Sequence, residues 1–154
     1  MRGRETILVG VLALVLAVPS GRACAASPAP VVIDANINLV TGEGTFSATG
    51  AIVDSGMTFA AEGPQFDALR SQALSIERTV PEFDGVLGNL TLDFTVRILA
   101  TPDPSVFARV GTWHVVAGTG AYFGASGEGV VMGTLNFSTL ELHDQFIGQV
   151  QLGP

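Results

Sequence analysis

The chain has 154 residues, 47% of them hydrophobic, and its 14 acidic and 7 basic residues give a formal net charge of −7. That balance argues against nucleic acid or an anionic lipid surface as a partner, because both are repelled by an acidic protein. A single cysteine, Cys24, excludes an internal disulfide framework.

The first element in chain order is a leader. Arg2 and Arg4 precede an apolar run from Ile7 to Val18, then come Pro19, Ser20 and Gly21 and the small-x-small pattern Ala23-Cys24-Ala25. This pattern predicts a secretory signal peptide over residues 1–25, cleaved ahead of Ala26. The run falls short of the roughly 18 apolar residues that favour a membrane span. Gly21 stands three places before Cys24, where a lipidation signal has an aliphatic residue. The expected product is an extracytoplasmic chain, secreted or periplasmic, with no membrane span. Loss of Arg2, Arg4, Arg22 and Glu5 leaves 4 basic and 13 acidic residues, a net charge of −9. Residues 26–154 are of a size that folds as one domain.

The remainder reads as strands. Val31, Ile33, Ala35, Ile37 and Leu39 alternate with Asp34, Asn36 and Asn38. Leu90, Leu92, Phe94, Val96 and Ile98 alternate in the same way, and so do Leu140, Leu142, Phe146, Val150 and Leu152. A period of two marks strands with one buried and one wet face. Less regular candidates fall at 44–54, 57–61, 73–80, 107–118 and 127–135, bounded by turn residues. The only helical window, 64–72, opens on Pro64 and is short and weakly amphipathic. Eight long antiparallel strands predict an all-β up-and-down barrel, with a β-sandwich as the alternative. Glycines within the strands, such as Gly50, Gly111, Gly129, Gly133 and Gly148, favour closure.

The run "GTWHVVAGTGAYFGASGEG" (Gly111 to Gly129) has glycines spaced like a dinucleotide-binding loop. Such a loop must lead from a strand into a helix whose N-terminus holds the pyrophosphate. The residues after Gly124 carry three more glycines and paired valines, so the segment predicts a strand, a glycine turn around 119–126 and a second strand. No nucleotide and no other cofactor is expected.

Further candidates are few. His114 and His143 are the only histidines and neither has metal-ligand spacing, so no metal site is expected. Ser126 lacks a nucleophile elbow and an evident base. Tyr122 and Glu128 flank the glycine turn as a candidate lid pair over a barrel mouth. Three charges share strand faces with apolar residues: Asp54 with Phe46, Ala48 and Ile52; Arg78 with Leu74, Ile76 and Val80; Asp144 with Leu140, Leu142, Phe146 and Val150. Either these charges reach water, through strand ends or a bulge at His143 that turns Asp144 outward, or Arg78 meets Asp144 or Asp54 inside the barrel as a polar ligand anchor.

"GTFSATGAIVDSG" (Gly44 to Gly56), the Gly111 to Gly129 run and "HDQFIGQV" (His143 to Val150), in this order, resemble the secreted bacterial proteins grouped with the allene oxide cyclase barrel, a group related in fold to the plant dirigent proteins. The resemblance covers most of the chain after the leader. It implies an eight-stranded antiparallel barrel whose apolar interior admits a small hydrophobic molecule. No catalytic pattern of the plant cyclase is matched, and fold does not by itself give function. The expected function is small-molecule binding. The alternatives are a cyclase or isomerase acting on a hydrophobic substrate, and an interaction protein whose barrel is filled by its own side chains.

Overall fold

The computed structural model describes residues 27–67 and 75–154, with side chains throughout except in 60–67 and 75–80. The expected leader with Cys24, and residues 68–72 of the helical window, lie outside the described residues. Eight strands run in order: β1 (Ala29–Asn38), β2 (Glu43–Gly50), β3 (Asp54–Asp67), β4 (Ser75–Gly85), β5 (Asn89–Ala100), β6 (Val106–Gly118), β7 (Ser126–Asn136) and β8 (Glu141–Gln151). Each pairs antiparallel with the next, and β8 pairs back onto β1 from Ala29↔Val150 to Asn38↔Glu141. The result is a closed up-and-down barrel and not a sandwich.

Period-two alternation sets the core. Val31, Ile33 and Ala35 from β1, Leu90 to Val96 on alternate positions of β5, and Phe146 and Val150 from β8 are all buried in one cluster. Phe46, Phe83, Phe146 and Phe94 form a chain of edge-to-face contacts with centroids 5.1, 5.5 and 5.6 Å apart. Each such side chain contributes about 1.5–3 kcal/mol by leaving water, and the edge-on geometry adds to that. Trp113 enters the same interior and donates from Nε1 to the Val130 carbonyl at 3.0 Å. Its indole occupies space that Gly129 and Gly148 leave open, since a Cβ on either would stand 2.8 or 2.6 Å from the ring.

Three strands depart from the sequence expectation, the first being β2, which ends at Gly50 so that Asp54 opens β3 instead of closing the strand expected at 44–54. β3 continues past Ala61 through Gly63 and Pro64 to Asp67, so Pro64 lies in a strand and does not begin a helix. Register shifts between Ala60/Glu62 and Glu62/Gln65 absorb the interruption. A proline cannot donate to a sheet ladder, and a bulge is where a strand accommodates one. β4 likewise runs on through Pro81 to Gly85.

The glycine run folds as strand, turn and strand. The connection from β6 to β7 holds a three-residue 3-10 turn, η1 (Gly120–Tyr122), and no longer helix, so no α-helix N-terminus is there for a phosphate. Gly120 has φ +58, and a Cβ on it would collide with the Leu87 carbonyl. The turn is stitched to the β4–β5 connection by Thr119 N–H to Asn89 O at 2.8 Å and Ala121 N–H to Leu87 O at 2.9 Å. It therefore forms a lid over one end of the barrel.

Candidate functional site

At the lidded end, Tyr122 is buried and its hydroxyl donates to Asp54 Oδ2 at 2.6 Å. Asp54 also accepts from the backbone N–H of Ser55 (2.8 Å), Val86 (3.0 Å) and Leu87 (3.1 Å). Burial alone would raise the Asp54 carboxyl, but the donors, Tyr122 first, outweigh it and hold the group below its ordinary value of 3.8. For Tyr122, burial and the neighbouring carboxylate both raise the phenol. The lid pair is thus Tyr122 with Asp54. Glu128, expected beside Tyr122, instead occupies the outer face of β7 opposite His114 and Gln149.

Toward the opposite end, the interior turns polar. Asp144 on β8 and Arg109 on β6 each pair with the same β7 residue, Gly133. Their strands are next-nearest neighbours, about 9.6 Å apart at the usual strand spacing. Glycine between them removes the side chain that would stand in the way, and a Cβ there would collide with Asp144 Oδ1. Arg109 Nη2 reaches Asp144 Oδ2 at 3.2 Å, with the two side chains only 1% and 2% exposed. The guanidinium carbon also stands 5.7 Å from the Phe94 ring centroid, a cation–π geometry. Thr58, fully buried on β3 opposite Gly44 and Phe83, has no hydrogen-bond partner for Oγ1 among the described residues.

Of the three charges expected on apolar faces, Asp144 points into the barrel. β8 keeps unbroken register with both neighbours, so no bulge at His143 turns it outward. Asp54 is part-exposed at the first residue of β3 and held by the lid. Arg78 stands opposite Gln65 and Thr95 in the ladder, and its side chain lies outside the described residues. Arg109 escaped the sequence reading although it shares alternation with Phe107 and Trp113, the signal that exposed Asp144.

His114 is 58% exposed on the outer face, 4.0 Å from Asp93. Among the described residues no three metal-binding side chains converge, and no helix is long and apolar enough to cross a membrane. Comparison with protein-family models, curated proteins and solved structures finds no match.

Proposed function

We propose that the barrel is an extracytoplasmic binding module for a small, mainly apolar molecule carrying one hydrogen-bonding group, held in the half of the interior that contains Arg109 and Asp144. The ion pair is the observation that carries this reading. A buried pair is a poor source of stability, because several kcal/mol of hydration is lost per ion, and an apolar pair of similar volume often serves at least as well. A chain that nonetheless sinks Arg109 and Asp144 among phenylalanines, with a glycine clearing the space between them, has polar groups fixed where an apolar ligand can be oriented. The apolar part of the interior fits what the resemblance to allene oxide cyclase-like barrels implies, the ion pair goes beyond it, and kinship with that group is part of the proposal.

A second reading has its own support. Sixteen buried residues form one cluster with the aromatic chain through it, as a barrel filled by its own side chains and acting through its outer surface would have. Titration of the sole tryptophan's fluorescence with dodecane, dodecanol and dodecanoate separates the two. The ligand reading expects saturable quenching by dodecanol or dodecanoate, weakened about tenfold or more in Arg109→Met/Asp144→Val, the loss of one charge-assisted hydrogen bond. Absence of binding by all three favours the filled barrel, and equal binding to the double variant removes Arg109 and Asp144 as the anchor.

A further inference from the structure

The outer face at the end opposite the lid carries two rows of polar side chains. Register sets Asn136, Glu141 and Asn38 side by side across β7, β8 and β1, and sets Thr134, His143, Asn36 and Thr45 in the row before. With Glu43 they line an open depression of about 430 Å³ whose lining contains no arginine or lysine. This volume is within the range of small-molecule sites.

Several of these groups are already oriented. Asn38 Oδ1 accepts from the N–H of Val40 (2.8 Å) and Thr41 (3.2 Å), and Asn136 Oδ1 accepts from Ser138 (2.9 Å) and Thr139 (3.3 Å). Each oxygen is committed to its own turn, which leaves the Nδ2 amide of both residues as the donor a ligand would meet. Asn36 Oδ1 lies 2.8 Å from His143 Nδ1. An amide oxygen only accepts, so Nδ1 carries the proton and Nε2 of a neutral ring accepts. The surface therefore alternates amide donors with acceptors from Glu141, Glu43 and His143, and adds threonine hydroxyls that do both, at strand spacings of about 4.8 Å.

The chemistry of the ligand follows by elimination. An anion meets two carboxylates and no cation. An apolar molecule strips water from the amides and returns no hydrogen bond. A molecule whose hydroxyls both donate and accept satisfies each row. We propose that this face binds a neutral carbohydrate, a site separate from the barrel interior and independent of what the interior holds.

Nitrogen-15 labelled protein titrated with maltose, cellobiose and N,N′-diacetylchitobiose tests the proposal by amide chemical shifts, with glucose 1-phosphate and calcium chloride as comparators. At least one neutral disaccharide should give saturable shifts confined to the side-chain amides of Asn36, Asn38 and Asn136 and to the adjoining backbone of β7, β8 and β1. Glu141→Ala and Asn36→Ala should each weaken binding about tenfold, as loss of one or two hydrogen bonds does, while Thr95→Ala on β5 leaves it unchanged. These are exposed positions, so the spectra of the variants should show an intact barrel. Absence of saturable shifts with all three sugars overturns the proposal. So does equal or tighter binding of glucose 1-phosphate, the same signals moving with calcium alone, or undiminished sugar binding by both groove variants.

Discussion

Replacing Asp144 with alanine should be among the most damaging single changes the barrel can undergo. At 3.2 Å and an effective dielectric near 20, its attraction to Arg109 is roughly 5 kcal/mol, set against a hydration loss of several kcal/mol per ion. The pair is close to balanced while it is whole. Asp144→Ala removes the attraction while the guanidinium stays buried, so the expected loss is about 3–5 kcal/mol. In a domain of this size that lowers Tm by roughly 10–20 °C. Arg109→Ala should cost a similar amount for the mirror-image reason. The double variant should cost less than the sum, because each single change already forfeits the attraction the two share. Urea unfolding of the four proteins, with m checked for constancy, gives the coupling energy directly. Coupling below about 0.5 kcal/mol, with both single variants near wild-type stability, would refute the argument that these charges are desolvated partners.

At the lid, Tyr122→Phe should destabilise by about 1 kcal/mol, below the usual worth of a hydrogen bond to a charged group because Asp54 is part-exposed. The Asp54 value is depressed in the folded state, so its contribution is present above its ordinary 3.8 and is lost as pH falls through the lower folded value. The gap between wild type and Tyr122→Phe in urea should therefore hold down to about pH 5 and narrow as pH falls further through 3.8 and below, and a constant gap would exclude this linkage. The proposed export predicts an intact mass that corresponds to a start at Ala26 without an acyl group, whereas retention of Met1 or lipid on Cys24 would overturn the proposal.

Much of the barrel was legible because its physics is local. Alternation in 31–39 and 90–98 is the direct imprint of one wet and one dry face, and the glycines at 129 and 133 stand where interior side chains need room. The extent of β3 was not legible, because Pro64 reads as a helix start in isolation and only pairing with β4 shows it passing through a bulged strand. Asp144 was legible as a misplaced charge. Its partner was not, since Arg109 lies two strands away across Gly133, a relation that the joint register of β6, β7 and β8 creates and no short sequence window contains. The same holds for Tyr122 with Asp54, joined across 68 positions of sequence. The two rows of the outer groove come from β1, β2, β7 and β8, and register alone brings them together.

Closure also dictates the order in which the molecule can be assembled. The seam between β1 and β8 joins residues more than a hundred positions apart, so it is the most expensive contact in loop entropy and the last available to a chain made from its N-terminus. Until β8 arrives, the backbone groups of β1 from Ala29 to Asn38 present an unpaired edge to any other strand nearby, the usual route to aggregation. β8 also carries Asp144, which meets Arg109 across Gly133 through the pairing of β7 with β8. The polar heart of the barrel and its outermost seam both wait for the same strand, β8, which meets β7 on one side and β1 on the other.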